Sequence, residues 1–464
     1  MNWQTLYSAQ RSGDSPQKAA NPDVVRTSYI RDYDRIIFSS AFRRLQNKTQ
    51  VFPLPGAVFV HNRLTHSLEV ASVGRSLGKA AGDAIADRHF STGNSLADEN
   101  FYRHELQSVV ASACLAHDIG NPPFGHSGED AIRTFFRELE GEDAKRLHDA
   151  LAPNQRADFE QFEGNANALR ILTHQYNELE PGGYKLTFAT LASIVKYPCI
   201  SSEGFNKPAD RLSVKKSGFF DTERGTYAAI AGSLNIPKLE GFEEVYARHP
   251  FVFLVEAADD ICYRIIDLED AHRLGILSLQ GFKDLFLPFF EAESDYYNGI
   301  DYVQKKLSAI IDDNQQVQFI RAKWIGLMIG KLTAAFLAQE SALLEGKLEK
   351  SLLDCLDEGN RDLIRNINRV SVKTVYSYKS VLEIEVAGYH VIGGLLKAFV
   401  SAVLNPRHSR SEKLLQLIPQ QFPVERKSVY LDVQSVVDFI SGMTDLYAMD
   451  IYRKITGITI PEIR

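Results

Sequence analysis

The stretch LAHDIGNPPFGHSGE, residues 115–129, brings two histidines, two carboxylates, three glycines and two prolines into fifteen positions. Residues 108–116 are small and apolar, which predicts a helix buried on most sides. The Asn-Pro-Pro at 121–123 must end that helix, because proline lacks an N–H and disfavours helix in the residue before it. The sequence therefore predicts that His117 and Asp118 leave a core helix at a Gly/Pro loop, as functional residues commonly do. The alternative is a His-Asp pair that only caps a helix end.

A second informative segment, residues 250–270, begins as an apolar run and continues into acidic residues. Asp259, Tyr263 and Asp267 follow at i, i+4 and i+8, which places them on one face of a helix. A carboxylate at the end of so apolar a run is unfavourable by several kcal/mol unless it is paired or bound to a metal. The alternative, a solvated acidic helix end, suits Asp260 better than Asp259.

A third histidine, His66, falls in the first turn of a predicted helix whose N-cap we expect to be Thr65. Alone, such a histidine is more often structural than a ligand. With His117, Asp118 and Asp259, however, it makes a set of nitrogen and oxygen ligands, each near the end of an apolar helix. This set suits manganese, iron or magnesium better than a structural zinc ion. The long gaps between its members predict a site between the helices of a bundle.

Bulk composition is that of an ordinary globular chain with enough apolar residues for a large core. The 464 residues are 44% hydrophobic and 24% charged. The net charge of −7 excludes a global basic field for nucleic acid and leaves only a local basic groove open. The four cysteines are far apart and form no CxxC, which favours reduced buried thiols over disulfides.

The chain begins without a signal peptide, and we find no apolar run approaching the roughly 20 residues that span a bilayer. We therefore expect a cytoplasmic protein with no membrane partner.

The expected fold class is mainly α, a helical bundle with additional C-terminal helices and at most small β elements. Residues 1–25 are polar and predict a flexible N-terminal arm. Residues 26–290 form the predicted metal-dependent core, and residues 291–464 a mainly helical region packed on it. Within these, 199–227 reads as a loop or hairpin insertion, and the alternation over 370–385 favours a small β element.

Several stretches, in order along nearly the whole chain, resemble the HD-domain metal phosphohydrolases, and in particular their deoxyguanosine triphosphate triphosphohydrolase branch. They are RRLQxKTQVF at 43–52, RLTHSxEV at 63–70, HDIGNPPFGHxGE at 117–129, FEGN at 162–165, EAADDI at 256–261 and SGMTD at 441–445. Their joint occurrence is far more specific than any one of them.

The resemblance implies an HD-type bundle that hydrolyses deoxynucleoside triphosphates to deoxynucleoside and inorganic triphosphate, by water attack at the α-phosphorus. It implies a divalent ion, Mg²⁺ or Mn²⁺ with Fe²⁺, Co²⁺ or Ni²⁺ also suitable, on His66, His117, Asp118 and Asp259. It also implies a homo-oligomer, with single-stranded DNA as a further candidate partner.

The same resemblance assigns roles to the remaining site residues. His126 would be the general acid/base, with Glu129 orienting its imidazole. The candidates for substrate binding are Gln50, Arg63, Lys196, Tyr197, Tyr263, Asp267 and Arg321. Gln50 is the expected reader of the 3′-hydroxyl, and its packing with Asp267 would leave no room for a ribose 2′-OH.

Two other functions compete with this one. The first is an HD phosphohydrolase acting on nucleoside monophosphates or a signalling nucleotide. The second is a non-catalytic module that binds a nucleotide or single-stranded DNA. His126 with Glu129 counts against the second, because a pure binder needs no acid/base pair.

Overall fold

Helices form the regular structure of this protein. The computed structural model describes residues 1–14, 26–52, 60–91, 95–175, 182–206, 211–291, 293 and 299–459. In these ranges there are isolated β-bridges, such as that between Thr49 and Asn62, but no β-strand. The predicted mainly α class is confirmed.

The helices up to residue 290 surround one large apolar core, except that the three over residues 125–160 contribute to a second apolar cluster. They are α1 Ser28–Ile37, α2 Ser40–Arg44, α3 Arg63–His89, α4 Leu96–Asn100, α5 Leu106–Ala116, α6 Gly125–Arg137, α7 Gly141–Ala150, α8 Pro153–Glu160, α9 Gly164–Thr173, α10 Phe188–Ile194, α11 Arg224–Ser233, α12 Pro250–Arg273 and α13 Leu279–Phe286.

The C-terminal helices extend this core and build a second apolar cluster against α6. They are α14 Ile300–Leu307, α15 Asp313–Ala338, α16 Glu340–Leu344, α17 Glu358–Ser371, α18 Lys379–Leu404, α19 Ser409–Leu415, α20 Val429–Ser441 and α21 Asp445–Thr456.

Close packing of α3 against α5 positions the first histidines of the site. A Cβ added at Gly74 would lie 2.4 Å from Cys114 Sγ, and one at Gly78 would lie 2.9 Å from the Cα of Gln107. Only glycine fits at these contacts, so the two helices approach almost backbone to backbone. The N-terminal end of α3 therefore lies beside the C-terminal end of α5.

The Gly/Pro loop between α5 and α6 is fixed by the C-terminal helices. Phe124, at a φ of 63°, donates its N–H to Asp445 Oδ1 at 3.0 Å. The Lys48 ammonium is buried and donates to the carbonyls of Asn121 and Ser441, the latter at 2.9 Å. The C-terminal region thus takes part in building the loop that carries the site.

Two expectations from the sequence are wrong. Residues 1–14 are not a loose arm: Trp3 and Leu6 are buried, and the amino group of Met1 donates to Leu344 O at 2.8 Å. The rest of that predicted arm, 15–25, lies outside the described residues. The expected β element over 370–385 is helical, with α17 running through a π turn towards α18.

Helix α18 also corrects the expectation about apolar runs. By length and composition it could cross a membrane, with a mean hydropathy of 1.5 over its most apolar window. Half of that window is buried inside the protein, and Ile392, Leu395 and Phe399 belong to the second apolar cluster. A core helix has the same properties.

Candidate active site

Ligand atoms from α3, from the turn directly after α5 and from α12 converge at one point. The nearest ligand atoms of His66, His117 and Asp118 all lie within 4.8 Å of one another. Asp259 Oδ1 lies 3.1 Å from His66 Nε2 and 3.6 Å from His117 Nε2. The four residues predicted to bind a metal are therefore brought together, although they are up to 193 residues apart in the chain.

Local structure explains how each ligand reaches this point. Helix α3 begins one turn before His66, where Asn62 and Thr65 form a reciprocal capping box. The N-cap is therefore Asn62, and the predicted cap at Thr65 is wrong by three residues. Helix α5 ends at Ala116, and the ring of His117 is oriented by its Nδ1 contact to Cys114 O at 2.7 Å.

Electrostatics keep the carboxylates charged although they are enclosed. Burial disfavours the charged form of Asp118, but Arg63 and His117 outweigh it and lower the pKa of Asp118 to about 2. Burial likewise opposes the ionisation of Asp259, whose pKa His117 and His66 nevertheless hold well below its usual range. The pKa of His117 is raised to about 9, because Asp118 and Asp259 overcome the effect of burial.

The donor set fits a divalent cation. His117 Nε2 is buried and has no hydrogen-bond partner among the described residues, although it faces two carboxylates. An unpaired buried nitrogen is unfavourable in itself, and coordination of a cation would satisfy it. Two imidazoles and two carboxylates match the preferences of Mn²⁺, Fe²⁺ and Mg²⁺ more closely than those of a thiolate zinc site.

A cavity of about 520 Å³ opens beside these ligands. It is large enough for a nucleotide-sized molecule. All but two of the predicted site residues line it, namely Gln50, Arg63, His66, His117, Asp118, His126, Glu129, Lys196, Tyr197, Asp259 and Tyr263. Gln50 Oε1 is buried there without a hydrogen-bond partner among the described residues.

His126 and Glu129 form a paired unit at the start of α6. Glu129 is 1% exposed, and its Oε1 accepts the Gly164 N–H at 2.8 Å, whereas His126 is open to solvent. The hydrogen bond and the charge of Glu129 raise the pKa of His126. Burial opposes the charge on Glu129, but His126 lowers its pKa to about 2. The imidazole is thus oriented and favoured in its protonated form.

Three cationic side chains face the cavity from different directions. Arg63 Nη1 donates to Asp118 Oδ2 at 2.5 Å. Lys196 Nζ lies 3.1 Å from Glu256 Oε1, and Lys216 Nζ lies 2.8 Å from Glu163 Oε1. A polyphosphate needs cationic donors of this kind, and each of the three is here paired with a carboxylate that also lines the cavity.

Two of the predicted site residues, Asp267 and Arg321, do not line the cavity. Asp267 is buried behind the cavity wall, where its Oδ2 accepts the hydroxyl of Tyr376 at 2.6 Å. Burial raises the pKa of Asp267 to about 7. Arg321 does not line the cavity and donates to Glu269 Oε2 at 2.6 Å, so the structure does not support it as a phosphate ligand.

Several residues of the cavity were missed by the sequence reasoning. Lys216 lies in the segment interpreted as an insertion. The only feature of the sequence that could have indicated its role is the basic residue before it. Tyr376 lies in the stretch expected to be a strand, and its ring is parallel to that of Tyr263 with centroids 6.1 Å apart. Glu385 comes from the start of α18, in the region expected only to pack on the core.

Comparison with known proteins agrees with this geometry. A profile of the HD domain matches residues 63–186, and one of the phosphohydrolase-associated domain matches residues 355–454. The fold and the site thus define an HD-domain phosphohydrolase, a class of metal-dependent hydrolases.

Relatives that match over nearly the whole chain assign it to a narrower family within this class. A deoxyguanosinetriphosphate triphosphohydrolase-like protein of Synechocystis sp. is 37% identical, over 99% of this chain and 100% of its own length. A similarly named protein of Pseudomonas aeruginosa is 36% identical over 100% of both chains. A deoxyguanosinetriphosphate triphosphohydrolase of Yersinia pestis is 30% identical, over 98% of this chain and 99% of its own. The chain belongs to the family of deoxyguanosinetriphosphate triphosphohydrolases and their like-named relatives.

Proposed function

We propose that this protein hydrolyses deoxynucleoside triphosphates, dGTP foremost, to deoxynucleoside and inorganic triphosphate. One observation carries the proposal. The predicted metal ligands, the His126–Glu129 pair and three cations all line the same cavity of about 520 Å³. Ligands, acid/base pair and phosphate-binding charge are what water attack on a nucleoside triphosphate requires.

Each part has a separate task in this reaction. A divalent ion held by His66, His117, Asp118 and Asp259 supplies, when bound, Lewis-acid polarisation of the α-phosphate. Water attacks the α-phosphorus and gives up a proton to the solvent, and the bond from phosphorus to the 5′ oxygen of the sugar breaks. His126, protonated and oriented by Glu129, donates a proton to that leaving oxygen, so that a neutral deoxynucleoside departs.

The charge of the cavity favours a triphosphate over a monophosphate. Arg63, Lys196 and Lys216 line it together, and a triphosphate brings more negative charge and more oxygens to these cations than a monophosphate ester does. Among the alternative substrates, a nucleoside monophosphate would bring less negative charge to these cations. The paired His126 and Glu129 remain the argument against a module that only binds.

The cavity also contains groups suited to a guanine base and a deoxyribose. Glu385 can accept hydrogen bonds from the N1–H and the exocyclic amine of guanine, while Val381 and Ile384 supply apolar contacts. Gln50 carries an unpaired buried oxygen that can accept a sugar hydroxyl. The relatives' names point to the same base.

The test is a substrate panel with the purified protein. Each of the four dNTPs, GTP and dGMP is incubated with Mg²⁺ or Mn²⁺, and released tripolyphosphate and orthophosphate are separated by ion chromatography. We expect tripolyphosphate from dGTP above all, little turnover of GTP, and no orthophosphate. Orthophosphate from dGMP, or no hydrolysis of any dNTP alone or in mixtures, would overturn the proposal.

A further inference from the structure

Arg248 does not line the cavity, but it contacts one of the cations that do, Lys196. It binds the main chain of Lys196 directly and reaches its ammonium through Glu256. Arg248 Nε donates to the main-chain carbonyl of Lys196 at 3.0 Å. Arg248 Nη2 donates to Glu256 Oε2 at 2.8 Å, and the other oxygen of Glu256 lies 3.1 Å from Lys196 Nζ. One guanidinium therefore fixes the start of the Lys196 side chain and, through Glu256, its end.

This arrangement is buried, with Glu256 on the cavity wall and Arg248 behind it. Arg248 is 3% exposed and Glu256 is 6% exposed. The guanidinium of Arg248 lies over the ring of Phe253, 4.2 Å from its centroid. Arg248 Nη1 has no hydrogen-bond partner among the described residues. A buried ion pair with an unsatisfied N–H contributes little net stability, so stability alone is a weak explanation for this arginine.

Charge balance gives Arg248 a role at the cavity. Burial opposes the ionisation of Glu256, but Arg248 and Lys196 lower its pKa to about 2, so the group is a carboxylate at neutral pH. Without Arg248, that carboxylate would cancel the charge of Lys196 and repel an anionic ligand. With Arg248, the group of two cations and one anion keeps one net positive charge next to the cavity.

We propose that Arg248 is a positioning residue for the bound phosphate chain, which fixes the Lys196 ammonium at the cavity wall and neutralises Glu256 beside it. The inference rests on the proposed function and adds a residue outside the cavity to its phosphate-binding machinery. Arg248 does not need to touch the substrate. Its effect reaches the substrate through Lys196 and Glu256, which line the cavity.

The experiment is a double-mutant cycle of Arg248→Met and Lys196→Met in the full-length protein. The measured quantities are KM and kcat for dGTP and the Kd for tripolyphosphate by calorimetry. We expect each single substitution to raise KM and Kd about tenfold, an effect of one well-placed charge, and to leave kcat nearly unchanged. The KM and the Kd of the double variant should be no higher than those of Lys196→Met, because a buried Glu256 without either cation takes up a proton.

Two further variants separate positioning from folding. Arg248→Lys can still meet Glu256 but not the carbonyl of Lys196 as well, so we expect partial rescue of KM. Arg11→Met is the matched control: Arg11 is a buried arginine that donates to Asp32 Oδ1 and to Ser28 O, each at 2.7 Å, and it does not line the cavity. It should lower the Tm and leave KM unchanged.

The proposal is overturned if Arg248→Met lowers the Tm as Arg11→Met does while KM and the affinity for tripolyphosphate stay at the wild-type level. Fully additive effects in the cycle would also overturn it. If Arg248→Met does not fold, an unchanged affinity of Arg248→Lys for tripolyphosphate would overturn it instead. Calorimetry with tripolyphosphate measures the effect of Arg248 on anion binding even if the wild-type protein hydrolyses no dNTP. Failure of the proposed function is therefore distinguished from failure of this inference.

Discussion

His126 Nδ1 lies 3.1 Å from Glu129 Oε2, and the two residues differ sharply in environment. The imidazole is 80% exposed at the cavity, whereas the carboxylate is 1% exposed. A fixed buried carboxylate behind an accessible imidazole leaves the second ring nitrogen for the substrate. This is the arrangement of an oriented acid/base histidine.

The first prediction concerns this histidine. His126→Ala should retain metal binding and nucleotide binding but lose about 10²- to 10⁴-fold in kcat, the usual contribution of a positioned acid or base. Turnover of dGTP measures kcat, and calorimetric binding of dGTP with Ca²⁺ in place of Mn²⁺, once Ca²⁺ is found not to support turnover, measures nucleotide binding. Native turnover in this variant would remove His126 from the mechanism.

The second prediction concerns pH. Because Glu129 raises the pKa of His126 and the proposed acid must be protonated, activity should fall as the pH rises through that pKa. In Glu129→Gln the pKa of His126 should drop, and the alkaline limb of kcat/KM against pH should move to lower pH. An alkaline limb that stays in place in Glu129→Gln, or that persists in His126→Ala, would contradict this assignment.

The third prediction concerns the metal. Asp259→Asn should weaken Mn²⁺ binding by more than about 100-fold, since even residues behind the ligands commonly contribute 10- to 100-fold. Asp260→Asn is the matched control, because Asp260 is the adjacent carboxylate and is paired with Arg264 at 2.7 Å. Calorimetry with Mn²⁺ should give near-native affinity for the control. Equal affinities for both variants would place the ion elsewhere.

The fourth prediction concerns stability. Asp158 accepts hydrogen bonds from the Tyr430 hydroxyl at 2.6 Å and from the Asp221 N–H at 3.0 Å, and burial raises its pKa to about 7. The folded state therefore binds this proton more tightly than the unfolded state. The resulting stability is fully present at low pH and is lost as the pH rises from about 4 to about 7.

Asp158→Asn removes this dependence. Relative to the variant, the wild-type protein should lose about 2 kcal/mol of unfolding free energy between about pH 5.5 and about pH 8.5. Urea unfolding of both proteins at the two pH values measures the difference. Parallel pH dependence of the two proteins would show that Asp158 does not titrate in this range.

Local physical rules predict the parts of the site that lie at helix ends. A small apolar run followed by two prolines fixes the end of α5, and with it His117 and Asp118. The apolar half of α12 followed by Asp259 is equally informative. These signals are local, since they depend on helix burial and on proline, and the structure brings their residues together as expected.

Site residues whose positions depend on how distant segments pack together were predicted less well. Asp267 shares a helix face with Asp259, but eight residues at 1.5 Å each separate them by about 12 Å along α12, and Asp267 lies behind Tyr376. Lys216 lies in a segment without periodicity, so no local rule directs it to the cavity. The alternating residues before Tyr376 have β propensity, but packing against the core makes them helical.

Hydrolysis of dGTP with Mn²⁺ in H₂¹⁸O, followed by mass spectrometry of both products, shows which atom of the substrate the water attacks. Attack of water at the α-phosphorus should give tripolyphosphate with one ¹⁸O atom and unlabelled deoxyguanosine. Labelled orthophosphate with dGDP, or ¹⁸O in the deoxyguanosine, would contradict the account.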